Sequence, residues 1–163
     1  MRTVVGVMGS GRHLGEAEQS RAYRLGGLIA RHGWVLLTGG SAAGVMNAAS
    51  HGAHDAGGLV VGVLKSDRGT EASPYLDVAI RTGMGDARNV VNVLSSDVVI
   101  ALPGGAGTIS EVALALKSGK TVIALGWDPG TALRASGTGR ILDAATPEEA
   151  ITLAEGALGR HHH

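Results

Sequence analysis

The sequence predicts a Rossmann-like α/β fold, with one doubly wound, mostly parallel sheet and helices on both faces. Short apolar runs rich in valine and isoleucine alternate with segments of helical periodicity along the chain. Strands buried on both faces of a parallel sheet have this continuous apolar character. Glycine-rich loops follow several of the runs, and in such folds ligands bind outside the carboxyl ends of the strands.

The first half of the chain predicts four strands and two helices. The strands are β-branched runs that end at loops, and the helices have apolar residues at helical spacing. The loop after the first strand contains Gly9, Ser10 and Gly11, and the loop after the second contains Gly39 and Gly40. The predicted strands are residues 3–8, 34–38, 59–64 and 77–82, and the predicted helices are residues 16–32 and 45–56.

The second half continues the alternation and ends in a helix with a clear start signal. Thr146 is expected as the N-cap, Pro147 as the first helical residue, and Glu148 and Glu149 as acids of the first turn. A Gly/Thr-rich segment before the last strand is predicted as loop. The other predicted elements are helices over residues 86–95 and 109–118 and strands over residues 97–102, 121–126 and 141–144.

Composition limits the classes of function. The 163 residues fit one domain, which we place at residues 1–160, with His161 to His163 as the remnant of a purification tag. The 14 basic and 14 acidic side chains cancel, so no overall field favours nucleic acid or an anionic membrane. Cysteine is absent and no membrane-spanning or signal segment is apparent, so we expect a cytoplasmic protein.

Two common nucleotide-binding motifs do not fit. Gly9, Gly11 and Gly15 resemble the dinucleotide fingerprint, but the third glycine comes one residue too late and the second strand ends in glycines instead of an acid. The stretch LKSGKT has Leu114 where a Walker loop needs its first glycine. It also lies between a helix and a strand, the reverse of the required order.

The stretch IALPGGAGTISEVALAL, residues 100–116, indicates an anion site. Gly104, Gly105 and Gly107 would let backbone N–H groups approach a ligand closely, and the helix that follows offers unpaired donors and the positive end of its dipole. Thr108 and Glu111 have the spacing of a capping box, which would explain both without a ligand. The spacing leaves capping and ligand binding open for this pair.

Other candidate residues are an arginine and two histidines. Arg88 begins a predicted helix at the same edge of the sheet, where it could be an ordinary surface residue or could clamp a phosphate or ribose. His51 and His54 are three residues apart on a helix and could share a face. No third ligand is evident, so we expect no metal site.

Two stretches of the sequence resemble a known protein family. PGGAGTISE is similar to the PGGxGTxxE signature of the LONELY GUY proteins, once labelled lysine decarboxylases, and the similarity extends through TGGSAAGVMNAASHGAHDAGGLVVGVL to cover about residues 1–126. The resemblance implies a Rossmann-like nucleotide-binding fold in a homodimer or homotetramer, with the site at a subunit contact. In the enzymes of this family, a nucleoside 5′-monophosphate is hydrolysed to free base and ribose 5-phosphate.

The resemblance also implies roles for individual residues. In an enzyme, Glu111 would stabilise the oxocarbenium-like transition state and Arg88 would hold the substrate, while the PGGAGT glycines and Thr108 would take the phosphate. A carboxylate beside a developing cation and preorganised donors on an anion are large terms in catalysis. The full expected ligand-binding set is Gly9, Ser10, Gly11, Gly39, Gly40, Gly44, Met84, Arg88, Asn89, Pro103, Gly104, Gly105, Gly107, Thr108 and Glu111.

Two functions follow from two branches of the family. The enzymes have a lysine directly after the arginine, where this chain has Asn89, and they usually have more C-terminal helix. The stretch from Asp67 to Leu102 is more similar to a short sister branch that includes molybdenum cofactor carriers, although that branch often has a glycine at the position of Pro103. We therefore expect a carrier for a phosphorylated ligand, with molybdenum cofactor as the leading candidate, and a nucleoside 5′-monophosphate phosphoribohydrolase as the alternative.

Overall fold

A seven-stranded sheet forms the centre of the computed structural model, which describes residues 1–159. Every strand end lies within one residue of the predicted position. The predicted domain end at residue 160 and the expected tag remnant His161 to His163 lie outside the described residues. The strands are β1 (Val4–Met8), β2 (Val35–Thr38), β3 (Val60–Leu64), β4 (Val78–Arg81), β5 (Val98–Ala101), β6 (Thr121–Leu125) and β7 (Arg140–Ala144).

The strand order is β4-β3-β2-β1-β5-β6-β7, and every neighbouring pair is parallel. This order confirms the predicted doubly wound Rossmann-like sheet. The chain moves outward from β1 to β4 and then returns to the other side of β1 with β5. The carboxyl ends of β1 and β5 therefore flank the topological switch point, where such folds form their ligand crevice.

Helices cover both faces of the sheet. One apolar cluster joins the strands to α1, α2 and α6, and a second cluster on the other face joins them to α3 and α4. Valine, leucine, isoleucine and alanine make up nearly all of both clusters. The helices are α1 (Glu16–Arg31), α2 (Gly44–Asp55), α3 (Arg88–Leu94), α4 (Ala106–Lys117), α5 (Thr131–Arg134) and α6 (Pro147–Gly159).

Close packing of α1 on α2 depends on two glycines. A Cβ added to Gly26 would overlap the carbonyl oxygen of Ala49, and one added to Gly52 would overlap the carbonyl oxygen of Tyr23. The two backbones are therefore in direct contact, which brings the start of α2 against the loop that follows β1. There, the Val45 N–H donates a 2.8 Å hydrogen bond to the carbonyl of Ser10.

The structure differs from the sequence prediction at three places. Helix α4 begins at Ala106, three residues before the predicted start, and the predicted loop before β7 contains the short helix α5. Strand β4 lies at the edge of the sheet with all four residues exposed. The start of α6 is as predicted, because the Glu149 N–H donates to the Thr146 hydroxyl at 3.2 Å.

Candidate functional site

The glycine-rich loops after β1 and β5 meet at the switch point. The Ser10 N–H donates a 3.2 Å hydrogen bond to the carbonyl of Pro103, which ties the two loops together. A cavity of about 240 Å³ opens at this edge of the sheet. Its lining residues come from six segments of the chain and are Val7, Met8, Gly9, Ser10, Gly11, Arg12, Gly39, Met46, Lys65, Arg88, Asn89, Asn92, Gly105, Gly107, Thr108 and Glu111.

The first turn of α4 presents bare backbone to this cavity. Gly105 is the N-cap and makes no side-chain capping hydrogen bond. A Cβ added to Gly105 or to Gly107 would meet no atom within 4 Å. The first N–H groups of a helix have no intrahelical partner, and together with the helix dipole they favour an anion. The sequence-derived anion site therefore has suitable geometry at the switch point.

Of the two alternatives for Thr108 and Glu111, the structure excludes the capping box. The helix begins before Thr108, so this residue is the third of the first turn and not the cap. Thr108 is only 3% exposed and lines the cavity, close to Gly104. The Glu111 carboxylate accepts a hydrogen bond from the Asn92 side chain instead of a backbone N–H at the helix start. The pair is therefore turned towards the cavity, where its polar groups can meet a ligand.

Glu111 is a buried carboxyl beside a buried amide. Its Oε2 accepts a hydrogen bond of 3.1 Å from Nδ2 of Asn92, and the two residues are 8% and 0% exposed. Burial raises the pKa of Glu111, although the hydrogen bond from Asn92 and the positive charge of Arg88 act in the opposite direction. The environment therefore holds a carboxyl that is more readily protonated than an exposed glutamate.

Arg88 is also buried, which excludes one of its two predicted roles, that of an ordinary surface arginine. It is 6% exposed, and its Nη1 donates to the carbonyls of Gly39 and Val63 at 2.7 Å each. Its Nε donates to Oδ1 of Asn89 at 2.8 Å. Burial lowers the pKa of Arg88, and the negative charge of Glu111 opposes this effect. Arg88 thus joins α3 to the ends of β2 and β3, which leaves only Nη2 without a partner among the described residues.

The structure places most of the predicted ligand-binding residues on the cavity wall and five of them outside it. Gly40, with φ of +76°, lies in the loop after β2, and Gly44, with φ of +62°, is the first residue of α2. Met84 is 48% exposed and does not line the cavity. Pro103 and Gly104 are not among the lining residues: the Pro103 carbonyl accepts from the Ser10 N–H, and a Cβ added to Gly104 would overlap Thr108.

Sequence reasoning missed several residues that line the cavity, including Arg12, Met46, Lys65 and Asn92. For two of them, the sequence position indicates a place near the site. Lys65 directly follows β3 at the ligand-binding edge of the sheet, and Asn92 lies four residues after Arg88, which puts it on the same face of α3. Lys65 also forms a 2.6 Å ion pair with the exposed Asp86.

The two histidines considered for metal binding do not line the cavity and instead pack beside Tyr75. His51 stacks on Tyr75 with ring centroids 4.1 Å apart and contacts Asp55 at 3.2 Å. His54 also approaches Tyr75, at 5.6 Å. Within residues 1–159 no three histidine, aspartate or glutamate side chains are placed to hold a metal ion together. Over the same range, no helix is both long and apolar enough for a membrane crossing.

Comparison with known proteins identifies the family. A family model described as LDcluster4, the SLOG cluster4 family, matches residues 2–151. The chain belongs to the SLOG cluster4 family. This SLOG cluster4 protein is also similar to the cytokinin riboside 5′-monophosphate phosphoribohydrolase LOG of Oryza sativa subsp. japonica, with 34% identity over 107 residues. That match covers 64% of this chain and 44% of the rice protein.

Solved structures of higher identity come from the carrier branch. The molybdenum cofactor binding protein of the phototrophic bacterium Rippkaea orientalis is 47% identical to the SLOG cluster4 protein, with a TM-score of 0.91 over 96% of this chain and 97% of that one. The Moco carrier protein of Chlamydomonas reinhardtii is 40% identical, with a TM-score of 0.90 over 98% and 99%. The predicted membership of the LONELY GUY superfamily, nearest to its carrier branch, is confirmed.

Proposed function

We propose that this protein binds and carries the molybdenum cofactor, with the terminal phosphate of the cofactor on the first turn of α4. The observation that carries the proposal is the bare backbone at Gly105 and Gly107, which line the cavity and leave room for a phosphate. The 47% and 40% identity with molybdenum cofactor proteins supports the choice of ligand. In a carrier, the protein would hold and shield the ligand without a bond-breaking step.

The charges around the cavity fit an anionic and extended ligand. Three basic residues line it, Arg12, Lys65 and Arg88, against one acidic residue, Glu111. The start of α4 follows β5, whereas Lys65 follows β3, so the two lie three strand spacings apart, on the order of 14 Å. A ligand anchored by phosphate at α4 can therefore extend along the sheet edge towards Lys65.

The alternative function is hydrolysis of a nucleoside 5′-monophosphate. It is favoured by Pro103 within the PGGAGTISE motif, by the rice relative at 34% identity and by the presence of Arg88 and Glu111 in one cavity. Two observations favour the carrier instead. Asn89 occupies the position after the arginine, and three donors of Arg88 are already bound to protein acceptors.

A homodimer or homotetramer is part of the proposal. Val78 and Ile80 of the edge strand β4 are 45% and 44% exposed, and Leu94 of α3 is 59% exposed. Apolar side chains on an edge strand favour association, because an uncovered edge is open to further pairing. Light scattering after gel filtration tests the subunit number. The cytoplasmic location and the lack of nucleic-acid and membrane partners stay predictions.

A direct experiment separates the two functions. The purified protein is incubated with molybdenum cofactor and, separately, with AMP, and retained cofactor and released adenine are measured. We expect retained cofactor and intact AMP. Release of adenine that is abolished in Glu111→Ala, but not in the control Glu155→Ala on the exposed side of α6, would overturn the carrier proposal. Failure to retain the cofactor would overturn it as well.

A further inference from the structure

Asn92 is a buried amide with an unused oxygen at the wall of the cavity. The residue is 0% exposed and lines the cavity, and its Nδ2 is bound to Glu111. Its Oδ1 has no hydrogen-bond partner among the described residues. Two other buried side-chain atoms share this condition, Nε of Arg21 and Oγ of Ser50, but neither residue lines the cavity. Of these three unpaired atoms, Oδ1 of Asn92 is therefore the one for which a ligand in the cavity can supply the missing hydrogen-bond donor.

The unpaired Oδ1 of Asn92 lowers the stability of the free protein. A buried acceptor without a partner costs the free protein its full desolvation penalty, so such groups are rare and call for a specific explanation. Glu111 adds a second acceptor, because its Oε2 is bound to Asn92 whereas Oε1 accepts no hydrogen bond from a described residue. Two neighbouring acceptors would be satisfied together by a ligand that carries hydrogen-bond donors.

The position of these acceptors relative to the anion site follows from helix geometry. Thr108 and Glu111 are three residues apart on α4, so their Cβ atoms lie about 5–6 Å apart on one face. Asn92 and Arg88 are four residues apart on α3 and share a face for the same reason. The Asn92–Glu111 pair therefore lies one helical turn beyond the phosphate position, within reach of ligand atoms a few bonds from the phosphate ester.

We propose that Asn92 and Glu111 form a hydrogen-bond-accepting subsite for an N–H or O–H group of the ligand, and that Asn92 determines specificity there. The inference rests on the proposed function in one respect, namely that the phosphate of the ligand occupies the start of α4. In molybdenum cofactor the donor is a ring N–H of the reduced pterin, and in a nucleotide it is a ribose hydroxyl. Inorganic phosphate has the anion without such a ring, which makes it the reference ligand.

The first arm of the test compares molybdenum cofactor with inorganic phosphate. Asn92→Leu keeps the volume and removes the acceptor, Asn92→Ala is a second variant with a smaller side chain, and Ser50→Ala removes an unpaired buried oxygen away from the cavity. We expect both Asn92 variants to bind cofactor about tenfold more weakly, the value of one good hydrogen bond, with phosphate affinity unchanged. Ser50→Ala should bind both ligands as the wild type does.

The second arm uses AMP and 2′,3′-dideoxy-AMP, which differ only in the ribose hydroxyls. We expect the wild type to favour AMP and Asn92→Leu to bind the two equally. Unchanged cofactor binding in Asn92→Leu, or an equal loss of phosphate and cofactor binding, would overturn the subsite. If the wild type binds phosphate but no cofactor, the proposed function fails, but the comparison of AMP with 2′,3′-dideoxy-AMP still tests the subsite. Equal binding of both nucleotides by the wild type would then overturn the subsite.

Discussion

The glycine at position 107 offers a test that separates ligand binding from folding. Gly107 is in the first turn of α4, and a methyl group added there meets no protein atom within 4 Å. Alanine is favoured over glycine in helices by up to about 1 kcal/mol, so Gly107→Ala should stabilise the free protein or leave it unchanged. The same methyl would project from a residue that lines the cavity, where we place the phosphate. The variant should therefore fold well and bind poorly.

The magnitude follows from linkage between binding and folding. At a ligand concentration of about 100 times Kd, binding stabilises the wild type by about 2.7 kcal/mol, and each tenfold loss of affinity removes about 1.4 kcal/mol of this gain. For a chain of this size, about 1 kcal/mol corresponds to roughly 2–4 °C in Tm. Thermal melts with and without inorganic phosphate should thus show protection in the wild type and little or none in Gly107→Ala.

A matched control is available in the last helix. Gly156 is in α6, and a methyl group added there also meets nothing within 4 Å. Gly156→Ala should gain helix propensity and keep full phosphate protection. If Gly107→Ala were protected by phosphate as strongly as the wild type and Gly156→Ala, the first turn of α4 would not be the anion site, and the reasoning from its bare backbone would be refuted.

Three further predictions concern the site and the helix starts. Arg88→Lys should lower the free energy of unfolding in urea by about 3 kcal/mol, because a lysine cannot donate to both carbonyls at the ends of β2 and β3 in the geometry of the guanidinium group. Wild-type stability in Arg88→Lys would contradict this bridging role. Burial raises the pKa of Glu111 in the folded state, so its contribution to stability is complete below the unfolded value of about 4.3 and is lost as pH rises through the folded pKa. Denaturation curves of Glu111→Gln should accordingly lose less stability on raising the pH than those of the wild type, and parallel curves would contradict this. Thr146→Ala should lower the free energy of unfolding by about 1 kcal/mol through loss of the cap, as measured in a thermal melt. Thr108→Val should leave the free protein near wild-type stability, because Thr108 is not a cap. A larger loss of stability in Thr108→Val than in Thr146→Ala would contradict the helix starts described above.

The strands and their parallel arrangement could be predicted because the relevant signal is local. Each strand is a continuous apolar run between loops, and this pattern is typical of a sheet covered on both faces. Helix α5 has four residues, Thr131–Arg134, which is too short for a periodic pattern to be visible. The exposure of β4 depends on its place at the sheet edge, which is a property of topology and not of its sequence.

Two stretches with the same spacing show the limit of motif reading. Thr146 and Glu149 form a capping arrangement, in which the Thr146 hydroxyl accepts from Glu149 N–H and the Glu149 carboxylate accepts from Ala145 N–H at 3.0 Å. Thr108 and Glu111 have the same spacing and make neither contact. Pro147 fixes where α6 begins, whereas the glycines before Thr108 allow α4 to start earlier.

The glycines of the candidate site could be proposed from sequence, but the arrangement around Arg88 and Asn92 could not. Both residues are polar and lie on a short helix, where exposure is the usual outcome. Their burial arises because α3 packs beside α4, which brings Asn92 to Glu111 and Arg88 to the ends of two strands. Such contacts join residues far apart in the chain, and no local pattern specifies them.

All of the residues that line the cavity fall between Val7 and Glu111, so the described chain from 121 to 159 supports the sheet without bordering the ligand space. Residues 121–159 therefore contribute to the hydrophobic core without contributing a side chain to the cavity wall. Substitutions in this last quarter of the chain should change the melting temperature without removing a side chain from the cavity wall. The segment between β6 and β7, which contains α5, is accordingly a place to introduce a reporter or a tether, since none of its residues lines the cavity, provided that Trp127 keeps its hydrogen bond to the carbonyl of Ala101 at the end of β5.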